Sequence, residues 1–204
     1  MFVLYSFYQA KEGAQMSILY HASPIAGISV LEPRISNHGE ARIYFSSKRE
    51  NVLVYLSNAV EKYCNESGFK HDGTWYKWAA YGFTKEGIIR LEEYYPNATE
   101  ETYSGVSGYI YTATHTDAVK PLDAIRDAYY SETPIDVIRC EYIPDAYQAI
   151  LQAEKEGRAV IKRYEELNKA QHKWIHDTIA KEYAEVENRP EYRHFLKAKF
   201  PFIK

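Results

Sequence analysis

The sequence contains little cysteine, little glycine and no long apolar run. Its two cysteines, Cys64 and Cys140, lie in apolar contexts without the close spacing of a metal-binding pair. We therefore expect two buried, reduced thiols in a cytoplasmic protein, and neither a disulfide nor a metal site. The 10 glycines form no phosphate-cradling loop. No segment approaches the roughly 18 uninterrupted apolar residues that a membrane span requires, so we expect no membrane partner.

Positive charge is not in excess either. The chain has 25 basic and 28 acidic residues, which gives a formal net charge of −3. No global electrostatic field therefore attracts the protein to nucleic acid. A nucleic-acid partner would need a local basic groove, and the charge balance does not support one.

Tyrosine is abundant, with 20 residues in a chain of 204. Its flat apolar face and polar tip suit sites that hold aromatic ligands. Tyrosine is also a good strand residue, so we expect most of these side chains to be structural. The aromatic run Trp75, Tyr76 and Trp78 is predicted to lie in the core or to line a pocket.

The first 147 residues alternate short β-like runs with polar loops. We predict strands at 17–21, 42–46, 75–83, 88–95, 108–114 and 134–143. One helix is predicted over 47–68, with Ser47 as N-cap, Glu50 completing a capping box and Gly68 as terminator. Several strands around one helix, without a regular βαβ alternation, indicate an α+β fold with mostly antiparallel pairing.

The composition changes after Pro144 to residues that favour helix. Gly157 and the segment 188–190 divide this part into about three predicted helices. The histidines His172 and His176 have i,i+4 spacing, but without a third ligand we expect a solvated helix face and no metal. We divide the chain into an N-terminal extension (1–15), a core (16–147) and a helical C-terminal extension (148–204).

Two short motifs carry the clearest chemical signal. The first is LYHAS at 19–23, and the second is IYFSS at 43–47, just before the predicted helix. This order resembles the ADP-ribosyltransferase superfamily, in the branch of the poly(ADP-ribose) polymerases and the rifampin-modifying transferases. The resemblance implies a split antiparallel β-sheet as the core, and NAD as a substrate.

The resemblance also implies roles for individual residues. His21 would hydrogen-bond the 2′-hydroxyl of the ribose that carries nicotinamide, and the backbone of Ala22 would pair with the carboxamide. Tyr44 would stack its ring on nicotinamide. Ser23 and Ser46 would fix the pocket through their hydroxyls. The family usually has glycine where Ala22 stands, and alanine keeps both backbone polar groups but loses conformational freedom.

The segment between the motifs contributes a candidate for phosphate binding. Arg34 lies at the usual position of that loop, and its guanidinium suits a pyrophosphate. A solvated loop charge is the alternative interpretation of Arg34. Asn37 and His38 are further candidates in the same loop.

The third functional residue of the family is a glutamate at or just before a late strand. Its carboxylate stabilises the positive charge that develops as nicotinamide leaves. Glu132 precedes the predicted strand 134–143, and Glu141 lies near the end of that strand. We prefer Glu132, because the family glutamate begins its strand, and keep Glu141 as the alternative.

These observations predict transfer of ADP-ribose from NAD to a protein, a nucleic acid or a small molecule. Two alternatives stay open. One is a degenerate member of the fold that binds a nucleotide or a partner protein without catalysis. The other is an NAD-dependent RNA 2′-phosphotransferase, which needs a basic RNA-binding surface that the net charge of −3 does not favour.

Overall fold

The computed structural model describes residues 17–35, 39–123 and 125–203. The predicted α+β class is confirmed, with a mostly antiparallel sheet and five α-helices in these residues. The strands are β1 (Ile18–Ser23), β2 (Val30–Leu31), β3 (Arg34–Ile35), β4 (Ala41–Ser46), β5 (Tyr81–Phe83), β6 (Ile89–Glu92), β7 (Gly108–Thr114), β8 (Val119–Pro121), β9 (Ala128–Ser131), β10 (Ile135–Asp136), β11 (Arg139–Ile143) and β12 (Ala159–Lys162). The helices are α1 (Ala59–Ser67), α2 (Ala98–Tyr103), α3 (Ala146–Lys155), α4 (Lys169–Glu185) and α5 (Pro190–Lys199), with 3₁₀ helices at Arg49–Tyr55 and Tyr164–Glu166.

The main sheet has the strand order β11-β7-β1-β4-β9-β8, and β3 also pairs with β4. Because side chains alternate along each strand, the sheet has two distinct faces. One, the helix-covered face, includes Ala22 and Ile110 and packs under the first 3₁₀ helix and α3. The other, the loop-covered face, includes Leu19 and Tyr111 and packs under the two-stranded β2-β10 ribbon.

A second sheet joins the part of the chain beyond residue 147 to the core. Its order is β12-β6-β5, and β12 runs parallel to β6, unlike the antiparallel pairs of the main sheet. The predicted helical extension 148–204 thus also contains one strand, β12, where buried Ala159 and Ile161 alternate with exposed Val160. The proposed boundary between 147 and 148 also falls inside α3.

The predicted helix 47–68 divides into the first 3₁₀ helix and α1. Ser47 is not the N-cap: Lys48 holds that position and makes no side-chain capping bond. The helix breaks at Ser57, whose hydroxyl donates to the backbone oxygen of Thr102 at 2.7 Å, and at Asn58, whose backbone is extended. Gly68 ends α1 in the left-handed region, as predicted.

Two predicted strands are shorter than expected. Of 75–83, only Tyr81–Phe83 is a strand, and residues 69–80 have no regular secondary structure. The predicted strand 134–143 is interrupted at 137–138, so that β10 and β11 belong to different sheets. We expected the segment between the two motifs to be irregular. It contains the short strand β3, and Arg34 lies in that strand. Residues 1–15 and the candidates Asn37 and His38 lie outside the described residues.

A second core lies among α1, α4 and α5. The expectation for the aromatic run is confirmed, since Trp78 is buried there and Trp75 and Tyr76 pack against it. Cys64 is buried in this core as predicted, but Cys140 is exposed on β11. The prediction for Cys140 is wrong because β11 is the last strand of the sheet, and its neighbour Tyr142 is exposed there too. Across the described residues, no helix combines the length and the apolar character needed to traverse a bilayer.

Candidate functional site

Strands β1 and β4 pair at one position and then separate. The register joins Tyr20 to Ser46, and β1 makes no further paired position with β4 within the described residues. Farther along β4, residues 41–42 pair with β3, with Arg34 opposite Arg42. We call the space between residues 21–23 and residues 42–45 the gap. Both motifs found in the sequence border it.

His21 lies at the gap and connects its two sides. Its Nδ1 is 2.9 Å from the backbone oxygen of Tyr44. Because a carbonyl oxygen only accepts, Nδ1 carries the proton and Nε2 presents a lone pair. Burial lowers the pKa of His21, the bond to Tyr44 raises it, and the positive charges of Arg34 and Lys77 lower it further. The pKa lies below the ordinary 6.5, so His21 is neutral at pH 7.

The side chains of His21 and Tyr44 belong to opposite faces of the sheet. Continuing the Tyr20–Ser46 register pairs His21 with Phe45, and their rings meet edge to face at 6.0 Å on the loop-covered face. The same register sets Tyr44 opposite Ala22 on the helix-covered face. The two predicted residues therefore meet at the backbone oxygen of Tyr44, while the tyrosine ring extends away from the imidazole.

Two further tyrosines lie near Tyr44. The hydroxyl of Tyr81 donates to that of Tyr55 at 3.3 Å, and their rings are perpendicular at 6.0 Å. Desolvation raises the pKa of Tyr55, and the phenols of Tyr81, Tyr103 and Tyr44 raise it further. Tyr55 is 45% exposed. Tyr44, Tyr55 and Tyr81, the tyrosine cluster, thus form a partly exposed aromatic surface beside the gap.

Sequence reasoning missed Tyr55 and Tyr81. Tyr55 fits the helical period of the predicted helix 47–68, which placed it on the buried stripe. The actual 3₁₀ helix has a shorter period, so Tyr55 turns outward. Tyr81 follows the irregular segment 69–80, whose course depends on its contacts with α5. The local sequence contains no signal for that course.

The two predicted serines serve the local backbone. Ser23 is buried and accepts from the amide of Ile25 at 3.2 Å. The hydroxyl of Ser46 donates to the backbone oxygen of Asp127 at 3.0 Å and accepts from the amide of Lys48. Ala22 is buried, opposite Ile110 of β7. These residues shape the strand ends on each side of the gap.

The two candidate glutamates lie on opposite sides of the sheet's central strands. Glu132 follows β9, beyond β4, and it accepts from Arg42 at 3.2 Å and pairs with Lys120 at 3.2 Å. Hydrogen bonds from Lys120 and Arg42 lower the pKa of Glu132. Its carboxylate is half exposed and held by these two surface cations.

Glu141 lies in β11, on the helix-covered face. The register runs from Glu141 to Ile110 and on to Ala22, so one transverse row joins this carboxylate to the first motif. Two strand spacings separate Glu141 from Ala22, or about 10 Å. Arg49 donates two hydrogen bonds to Glu141, at 2.9 and 2.6 Å, and these bonds lower the pKa of the carboxyl.

Arg49 also lines a cleft of about 550 Å³ on the same side of the sheet. The cleft carries charges of both signs. Its lining residues are Tyr20, Ser47, Lys48, Arg49, Glu50, Glu86, Ile88, Gly157 and Arg158. Arg49 and Arg158 approach the buried Glu50 at 3.3 and 3.5 Å, so the cationic groups already have carboxylate partners. The volume falls in the range of small-molecule sites.

The described ranges contain no group of three or more histidine, cysteine, aspartate or glutamate side chains arranged to hold a metal ion. His172 packs on Tyr164, and His176 stacks on Phe202 at 4.0 Å. In comparisons with protein-family models, curated proteins and solved structures, nothing matches this chain. The functional argument therefore depends on the residues around the gap.

Proposed function

We propose that the protein binds NAD at the gap and transfers its ADP-ribose moiety to an acceptor. One observation carries this proposal: the two motifs meet through the bond from His21 to the backbone oxygen of Tyr44, 23 residues later in the sequence. They meet where the strands have stopped pairing, so residues 21–23 and 42–45 make no ladder hydrogen bonds to each other across the gap. The tyrosine cluster supplies aromatic surface on one side of this point, and Arg34 supplies positive charge.

The neutral state of His21 suits the role implied by the family resemblance. With its proton on Nδ1, the imidazole has an acceptor at Nε2 for a ribose hydroxyl. A protonated histidine would instead repel the positive charge that develops on the ribose. Burial and two neighbouring cations keep the pKa of His21 low, and thereby favour the acceptor form.

In the proposed reaction, the bond between C1′ of the ribose and the nicotinamide nitrogen breaks. The electron pair leaves with nicotinamide, which departs as a neutral molecule. A lone pair of the acceptor forms the new bond to C1′, and the acceptor loses a proton. The positive charge that develops on the ribose requires a fixed anion nearby.

For that anion, the geometry favours Glu141. It shares a row and a face with Ala22, and Arg49 keeps it ionised by lowering its pKa. Glu132 stays a prediction, but β9 lies on the side of β4 away from β1, and two cations already hold its carboxylate. Both residues pair with cations in this structure, which makes them well matched for comparison.

A second candidate function is binding without catalysis. It is favoured by the bidentate bond from Arg49, because a carboxylate held this way must move or share its charge before it can approach the ribose. Such a protein would retain ligand affinity at the gap and release no nicotinamide. The acceptor could in either case be a protein, a nucleic acid or a small molecule.

The test is release of nicotinamide from NAD, followed by chromatography, together with label transfer from NAD into a cell lysate. We expect Glu141→Gln to lower the release rate at least 100-fold and Glu132→Gln to lower it less than threefold. Saturable NAD binding without release by the wild-type protein would establish the binding-only function. Absence of saturable NAD binding would refute both candidates.

A further inference from the structure

The two end strands of the main sheet differ in their outer edges. At one end, β8 is three residues long and contains Lys120 and Pro121. A short strand, a lysine and a proline all keep a sheet edge from pairing with another chain. At the other end, β11 is five residues long, contains no proline and exposes Cys140 and Tyr142. Ile138, just before β11, is 57% exposed, so this edge lacks the protection that β8 has.

The hydrogen-bond pattern shows which backbone groups of β7 face β11. The amide of His115 donates to the backbone oxygen of Ser17 at 2.8 Å, in line with the β1–β7 register. In antiparallel pairs, hydrogen-bonded positions alternate with positions whose backbone groups face away. The odd-numbered residues of β7 therefore bond to β1, and the even-numbered ones bond to β11. The bond from the amide of Ile138 to the backbone oxygen of Thr112 agrees with this pattern.

The register with β7 then identifies the backbone groups of β11 that face outward. The even-numbered residues of β7 lie opposite Arg139, Glu141 and Ile143, so these three bond inward. The amide and carbonyl groups of Cys140 and Tyr142 face outward. Among residues 17–35, 39–123 and 125–203, no strand pairs with them. The edge therefore presents donors and acceptors for a further strand.

The charges of β11 favour a second copy of the same strand as that partner. In antiparallel pairing about a two-fold axis at Cys140, Arg139 lies opposite Glu141 of the partner subunit, and the reverse contact forms by symmetry. An axis at Arg139 or at Glu141 would place like charges opposite each other. An axis at Tyr142 would place Cys140 opposite Pro144 of the partner subunit, and proline has no amide proton to donate. The edge is thus self-complementary in one register.

We propose that the protein forms a symmetric dimer in which β11 pairs with β11 of a second copy about an axis at Cys140. The backbone groups of Cys140 bond to those of the partner's Cys140, and Tyr142 lies beside Ile138 of the partner subunit. The two main sheets thereby join into one continuous sheet. Because the paired segment is short, the dimer is weak.

Glu141 can make this contact while it keeps its bonds within the chain. Arg49 donates two hydrogen bonds to it, at 2.9 and 2.6 Å. An ionised carboxylate offers about four acceptor positions, so positions remain for Arg139 of the partner subunit. The dimer does not depend on NAD binding at the gap, and it is measured without ligand. Its failure would therefore leave the proposed function standing.

Sedimentation velocity at increasing protein concentration measures the dimer. We expect the weight-average mass to rise from the 23.7 kDa of one chain toward twice that value between about 1 and 300 µM, as for a small interface. Cys140→Pro removes an amide that the sheet does not use, and proline is tolerated at such a position of an edge strand. This variant should weaken the dimer about tenfold or more and leave the urea midpoint of the dilute protein unchanged.

A matched pair of substitutions tests the side chains. Ile138→Lys places a cation at the proposed interface, and Ile35→Lys makes the same change in β3, at a side chain that is 78% exposed. We expect the first to weaken the dimer about fivefold and the second less than about twofold. Arg139→Glu should weaken it about tenfold at low salt, because like charges then lie opposite each other.

A short bismaleimide tests the position of the axis. It should join two chains in the concentrated wild-type protein and none in Cys140→Ser, because Cys64 is buried. A protein that stays monomeric up to about 300 µM would overturn the proposal. So would a dimer that persists in both Cys140→Pro and Ile138→Lys, or one that the reagent does not join through Cys140.

Discussion

The two sides of strand β1 differ sharply. Toward β7 it makes six paired positions, from Ile18–Thr114 to Ser23–Tyr109, and toward β4 it makes one. Call the first side the seam; the second is the gap. At the seam, the backbone groups of the two strands form hydrogen bonds with each other. At the gap, the imidazole of His21 donates a hydrogen bond to the backbone oxygen of Tyr44. The comparison separates a paired edge, which stabilises the sheet, from an edge at which we propose that a ligand binds.

The largest expected effect comes from breaking the seam. Ile110 is 1% exposed and lies between Ala22 and Glu141 in the transverse row. We expect Ile110→Ala to lower the free energy of unfolding by about 3 kcal/mol, through lost burial and an unfilled cavity. Urea unfolding measures this. Ile35→Ala, at a side chain that is 78% exposed, is the control and should cost under about 0.5 kcal/mol. If both variants lost the same unfolding free energy, the seam would not contribute more to stability than an exposed position does.

The next effect concerns the gap. We expect His21→Ala to weaken the binding of NAD at least tenfold, because the acceptor at Nε2 and the connection to Tyr44 are lost together. Its effect on unfolding should stay below that of Ile110→Ala. Calorimetry and urea unfolding measure the two quantities.

His115 is the matched control for His21. It follows β7, its amide donates to the backbone oxygen of Ser17, and its ring meets that of Tyr129 in β9 edge to face. His115→Ala should change NAD affinity less than twofold. A larger change there than at His21 would mean that ligand binding does not depend on the gap.

A smaller effect is expected from acid. Arg49 lowers the pKa of Glu141 in the folded state below its ordinary value of 4.5. The stabilisation is therefore complete above the unfolded pKa and is lost as the pH falls through the folded pKa. Both side chains are partly exposed, so we expect under about 1 kcal/mol.

The measurement is the unfolding free energy from pH 6 down to pH 3 in the wild type and in Glu141→Gln. The variant should lose less stability than the wild type over this range. Glu187→Gln, at an exposed glutamate after α4, is the control and should follow the wild type. A steeper acid dependence in Glu141→Gln would contradict the assigned ion pair.

The smallest perturbation is chemical labelling of the cysteines. Cys140 is exposed at the outer edge of the seam side, and Cys64 is buried in the second core. We expect a thiol reagent to label one site quickly, and the second site only as the protein unfolds. Loss of the fast phase in Cys140→Ser would verify the assignment. Fast labelling of two sites would show that the second core opens readily.

The sequence predicts the central strands well because their signal is local. The alternation of apolar and polar side chains is enough to predict β1, β4 and β7. Gly68 ends α1 because glycine readily adopts the left-handed backbone conformation. The break after the first 3₁₀ helix depends on Ser57 reaching Thr102, which local periodicity does not reveal. Likewise β12 depends on its parallel partner β6, about 70 residues earlier.

The candidate site was predicted in part, for the same reason. His21 and Tyr44 belong to short contiguous motifs, so their positions within β1 and β4 follow from sequence. The register between strands that are distant in sequence determines the face on which each side chain lies. The positions of Glu132 and Glu141 relative to the gap depend on the same register. Tyr81 is hidden for a further reason: the segment before it packs on Tyr192 and Phe195, which lie about 110 residues later in the chain.

The attachment of residues 69–80 to α5 has a consequence during synthesis. Tyr192 follows its stacking partner Tyr76 by about 116 residues, and a ribosome adds about 5–20 residues per second. Tyr76 therefore waits about 6 to 23 seconds for that partner after it has been made. During that interval the nascent chain already holds the strands β1, β4 and β7. We expect a ribosome-bound chain that ends before α5 to leave the rings of Tyr76 and Trp78 exposed to solvent.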